Sequence, residues 1–79
     1  MVLSELSETI IGCYYKVYNG LGFGFLEKIY ENALGIELRE NGLVAQQQYP
    51  ISVVYRDIVV GEYLADILVN NQVILELKV

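Results

Sequence analysis

Three charged side chains interrupt two otherwise aliphatic runs: Asp66 in Tyr63-Leu64-Ala65-Asp66-Ile67-Leu68-Val69, and Glu76 and Lys78 in Val73-Ile74-Leu75-Glu76-Leu77-Lys78-Val79. A purely structural strand would carry none of them. Together with Glu27 earlier in the chain they form a set of carboxylates beside one ammonium group. Carboxylates converging on one point repel unless a hard cation joins them, and Mg²⁺ or Mn²⁺ takes oxygen ligands of this kind. Such a set can hold a metal, orient or deprotonate a water, and neutralise charge growing on a phosphate, which is metal-assisted phosphodiester hydrolysis.

The elements that must position these groups begin with the two runs themselves. Both are rich in Val, Ile and Leu and are separated by Asn70-Asn71-Gln72, a hairpin signal. Strands alternate their faces, and residues opposite one another in an antiparallel pair share a face. A two-residue turn would set Asp66 against Leu75 and send Glu76 to the other side. A three-residue turn sets Asp66 against Glu76 and leaves Ile67, Val69, Val73, Leu75 and Leu77 as an unbroken apolar face. The second register reconciles burial with the carboxylates, and Asn tolerates the left-handed conformation such a loop needs. Lys78, two positions after Glu76, shares its face.

Upstream, Leu6, Ile10, Cys13, Tyr14, Val17 and Tyr18 recur at helical spacing, which predicts a helix over 4–19 with Ser4 as N-cap and Gly20 past its end. The link Gly20-Leu21-Gly22-Phe23-Gly24 follows a helix and lacks GxGxxG spacing, so it reads as a tight interhelical turn with Phe23 and Phe25 tucked onto the core. A second helix is predicted over about 25–41, closed by Gly42. Its inward stripe is Leu26, Ile29, Tyr30, Ala33, Leu34 and Leu38; its outer face carries Glu31, Asn32, Arg39 and Glu40. Glu27, taken alone, reads as a first-turn partner of the helix dipole. Residues 43–55 read as a strand broken near Pro50, Arg56-Asp57 as a turn, and Ile58-Val59-Val60 as resumed strand, with a bend at Gly61. The order is α-α-β-β-β, an α+β (α/β) domain of two helices on a mainly antiparallel three-stranded sheet.

Bulk properties narrow the function classes. At 79 residues this is one small domain, and 54% hydrophobic residues mark a folding chain. Cys13 stands alone and histidine is absent, which excludes an internal disulfide, cysteine metal clusters and histidine-based catalysis. The net charge of −5 opposes a broad basic grip on nucleic acid. No apolar run is long enough to span a membrane and no signal peptide is evident, so a cytoplasmic protein is the expectation.

Asp66, nine residues, then Glu76-Leu77-Lys78 resembles the D…ExK core of the PD-(D/E)XK nuclease superfamily, and Gly24-Phe25-Leu26-Glu27-Lys28-Ile29-Tyr30 fits the pattern of its GxxExxY protein family. Ala65 stands where the nominal motif has proline. The resemblance spans helix 1 to Val79. It implies Glu27 as the helix-borne acid, Asp66 and Glu76 as metal ligands, and the Leu77 carbonyl as a further ligand of Mg²⁺ or Mn²⁺. Lys78 would position the attacking water or stabilise the transition state, and the partner would be DNA or RNA. Gly24 and Tyr30 would be structural or border the site. Family members continue past ExK into another helix and strand, so a core lacking both, with an unpaired edge completed by a homo-oligomer, is the expectation.

Other readings bear on the same residues. Lys78 serves equally as a gatekeeper at a strand end paired with Asp66, with Glu76 solvated on an exposed face. A non-catalytic module that assembles through the open sheet edge is the alternative function. Among the seven tyrosines, Tyr14, Tyr15, Tyr18 and Tyr30 are candidates to stack on bases, though core-edge packing is the commoner use.

Overall fold

A computed structural model describes residues 1–78, and two helices precede an antiparallel three-stranded sheet. The first helix, α1 (Leu3–Leu21), buries Leu6, Ile10, Cys13 and Val17, a four-three-four spacing that turns one stripe inward. It starts one residue before the expected Ser4, with Val2 in the cap position and no side-chain cap. Gly20 lies inside the helix, and Gly22 ends it at φ 73°, its N–H donating to the Tyr18 carbonyl.

The second helix, α2 (Glu27–Glu40), ends as expected at Gly42. At φ 78° this residue adopts the left-handed conformation that glycine takes without strain, and the Leu43 N–H closes back on the Leu38 carbonyl. Its inward stripe differs from the expectation. Tyr30, Glu31, Leu34, Gly35 and Leu38 are buried, whereas Leu26 and Ile29 are exposed. The helix is rotated so that Glu31, expected outside, faces the sheet. Close approach is the reason: a Cβ at Gly35 would come within 2.9 Å of the Gln47 side chain, so the smallest residue of the helix sits where it crosses the first strand.

That strand, β1 (Ala45–Tyr55), pairs with β2 (Ile58–Val69), which pairs with β3 (Val73–Leu75). Arg56 and Asp57 both take positive φ at the first turn, the handedness that suits a twisted hairpin. The break in register falls between Val53 and Val54 rather than at Pro50, which pairs with Leu64 on an edge strand that tolerates its missing N–H. The second turn is the three-residue one: Val69 faces Val73, and Asn70 and Asn71 have φ of 50° and 54°. Asn70 is tied to Val44 through both its side chain and its backbone, 2.7 and 2.8 Å.

Ile67 and Val69 point into the core with Leu6, Leu34 and Leu38, and Val73, Leu75 and Leu77 pack against it. Each such fully buried aliphatic side chain contributes roughly 1.5–3 kcal/mol. The β3 ladder stops at Leu75, short of the expected strand through Lys78; Val79 lies outside the described residues. At the opposite end the β1–β2 hairpin carries exposed Val53, Val54, Tyr55, Ile58, Val59 and Val60, beyond the reach of the helices.

Candidate functional site

Asp66 sits on β2, partly buried. The pairs Val69–Val73, Leu68–Ile74 and Ile67–Leu75 make Glu76 the next residue opposite it. Where that pair would continue the ladder, an Asp66 carboxylate oxygen instead accepts the Leu77 N–H at 2.6 Å. A short carboxylate side chain competes with main-chain partners for such a donor, and here it takes the place of the next rung. The Asp66 carboxylate and the Glu-Leu-Lys backbone are thereby joined directly. Glu76 and Lys78 are exposed.

Lys78 lines a cleft of about 430 Å³ whose other walls are Tyr14, Tyr18, Phe23, Phe25 and Tyr30. Tyr18 stacks on Tyr30 with centroids 5.0 Å apart and planes 15° apart, and Tyr14 leans on Tyr18 at 4.7 Å. The Tyr30 hydroxyl donates to the Gly22 carbonyl at 2.6 Å and accepts the Phe25 N–H at 3.3 Å, clamping the link between the helices. Phe23 and Phe25 are not tucked onto the core as expected: Phe23 is 92% exposed and Phe25 45%. With the link held by Tyr30, their rings project from it.

Glu27 opens α2, exposed, in the first turn where the helix dipole favours a carboxylate. Its charge is felt at Tyr18. The hydroxyl of Tyr18 is pushed up to about 12, first by the Tyr14 hydroxyl beside it, then by partial burial, by the charges of Tyr14 and Tyr30, and by Glu27. Thus Lys78 lines the tyrosine cleft, Glu27 acts on Tyr18 through its charge without lining the cleft, and Asp66 is linked to Lys78 through the Leu77 backbone. Among the described residues, no three Asp, Glu or Cys side chains form a group that could hold a metal ion. The donor chemistry nonetheless suits magnesium, which is commonly held by one or two carboxylates, with water and substrate phosphates completing its shell.

The sequence reading missed a second carboxylate centre. Glu31 is only 3% exposed and accepts hydrogen bonds from Gln47 at 2.7 Å, Gln48 at 2.8 Å and Lys28 at 2.9 Å. Burial pushes its pKa up, but the amide and ammonium donors of Gln47, Lys28 and Gln48 outweigh this and hold it below the usual range. Gln48 adopts φ 52°, a left-handed conformation in mid-strand, at the position left out of the ladder between the Gln47–Ile67 and Tyr49–Ala65 pairs. That position lies across from Asp66. The available signal was the run Gln46-Gln47-Gln48, since a glutamine at an inward strand position needs a buried polar partner.

No helix is long and apolar enough to cross a membrane among the described residues. No curated protein and no solved structure matches the chain. Residues 4–79 match the profile of the PD-(D/E)XK nuclease superfamily, and the two-helix, three-strand order with acidic residues on β2 and just past β3 accords with it, so the chain belongs to that superfamily.

Proposed function

We propose that this domain hydrolyses nucleic-acid phosphodiester bonds with the help of Mg²⁺ or Mn²⁺. Asp66 and Glu76 would hold the ion, with the Leu77 carbonyl as a further ligand and Glu27 as the acid contributed by the helix. The bound ion supplies Lewis-acid stabilisation of charge on the phosphate. Lys78, an ammonium two residues beyond Glu76, orients the attacking water or meets charge developing on the phosphoryl oxygens. The observation that carries this reading is the Asp66–Leu77 hydrogen bond within a chain of this superfamily, because it couples the β2 carboxylate to the Glu-Leu-Lys segment. The test is cleavage of labelled DNA and RNA with and without Mg²⁺. Metal-dependent cleavage that disappears in Lys78→Ala and Asp66→Asn supports the reading; cleavage that persists in both variants defeats it.

A second reading, a non-catalytic module that assembles with its own copies in the cytoplasm, draws on the exposed apolar hairpin end at Val53–Tyr55 and Ile58–Val60 and on the short outer strand β3. Sedimentation that becomes concentration-dependent, without any metal-dependent cleavage, would favour it.

A further inference from the structure

The cleft beside Lys78 has an aromatic wall that packing does not require. Burial would favour covering a phenyl ring, yet Phe23 projects into solvent from a link whose flanking residues, Gly22 and Gly24, are left-handed at φ 73° and 97°. The Tyr30 hydroxyl pins that link on both sides of the ring, to Gly22 and to Phe25. Tyr18 has one face covered by Tyr30, and Tyr15 lies outside the cleft, so the open rings are those of Phe23 and, in part, Phe25. At about 430 Å³ the cleft falls within the ~300–1,000 Å³ typical of small-ligand sites. A protein partner would need a broad face of about 800 Å² per side, which this narrow cleft with a cation in its wall does not offer.

We propose that the cleft receives one unpaired nucleobase, stacked on Phe23, with a phosphate of the same strand drawn to the Lys78 ammonium, so that single-stranded nucleic acid is the substrate class. Every base has a π-face, so an aromatic platform accepts it regardless of sequence. With ten acidic residues against five basic ones, the protein lacks the many phosphate contacts that drive duplex binding. Affinity must come from stacking, and bases paired inside a duplex are not available for it. The link to cleavage rests on the proposed hydrolysis, but the binding does not.

The test is fluorescence anisotropy of labelled oligonucleotides with the 79-residue chain in the absence of divalent metal, so that hydrolysis plays no part. The probes are an oligothymidylate, an abasic oligomer of the same length and charge, and a duplex. Stacking of one base predicts that the thymidylate binds about tenfold tighter than the abasic oligomer, that Phe23→Ala loses about tenfold, and that Phe23→Tyr restores it. The exposed ring makes Phe23→Ala neutral for folding, checked by an unchanged thermal melt. Equal affinity for the abasic oligomer, tighter binding to the duplex, or a Phe23→Ala variant that binds normally would overturn the proposal. Base-dependent binding by a protein that cleaves nothing would sustain the cleft and remove only the hydrolysis reading.

Discussion

Two carboxylates, Glu31 and Asp66, stand on facing elements of the same small domain and are treated in opposite ways. Glu31 is enclosed between α2 and β1, with three donors spent on one side chain and no buried side-chain polar atom left unpaired among the described residues. Asp66 is partly exposed, keeps one hydrogen bond to the chain, and lies at the point where the β2–β3 ladder stops. A carboxylate satisfied on every side is held by the fold and has little capacity left for a ligand. One with free lone pairs at a frayed ladder retains that capacity. The contrast separates a centre that organises the domain from one suited to chemistry.

The largest effect that would sharpen this division is on catalysis. Asp66→Asn keeps an acceptor for the Leu77 N–H but removes the charge, so cleavage should fall at least ~100-fold, as when a group stabilising transition-state charge is removed. Its urea midpoint should stay close to that of the parent protein, within about 0.5 kcal/mol of stability. Loss of folding alongside loss of cleavage would erase the distinction between the two centres.

Glu31→Ala should do the reverse. It removes the acceptor shared by the half-buried Gln47 amide, which keeps Asn32 as a partner, and the exposed Gln48 amide, at a cost of about 1.5 kcal/mol, the scale of a hydrogen bond to a charged group, read from urea unfolding. The Lys28 contact adds little, because that ammonium is largely solvated. A milder break comes from acid. The folded pKa of Glu31 lies below its ordinary value of 4.5, so its stabilising contribution is complete above that value and is lost as pH falls through the folded pKa. Stability measured across that range should therefore fall less steeply in Glu31→Gln than in the parent. The smallest effect is alkaline. Tyr18, raised from 10.0 to about 12, favours the folded state below pH 10 and loses that contribution as pH rises through about 12. In Tyr18→Phe the late step in phenolate absorbance should vanish.

Much of the fold was legible because it follows from periodicity. The four-three-four stripe of α1, the glycine that stops α2 and the paired asparagines of the second turn each state a local preference that the tertiary structure does not oppose. The three-residue turn followed from parity because burying Ile67 and Val69 leaves only one register for β3, although the ladder itself stops at Leu75, before Asp66 and Glu76 would pair. Less was legible where side chains negotiate across elements. Helical spacing alone allowed a stripe through Leu26 and Ile29; the tight crossing at Gly35 rotated the helix toward Glu31 and Gln47. Nothing in the turn chemistry of 20–24 distinguished a phenylalanine folded inward from one held outward.

The chain by itself determined its elements, the placement of Asp66, Glu76 and Lys78 on the last two runs, and the superfamily to which it belongs, since these depend on residue type and spacing along one dimension. Only the tertiary structure decided that Glu31 is enclosed, that Asp66 binds the backbone of Leu77, and that Phe23 stands open beside Lys78. Those outcomes depend on which donors and surfaces distant segments bring to each side chain, and a competition for partners cannot be resolved before the segments meet.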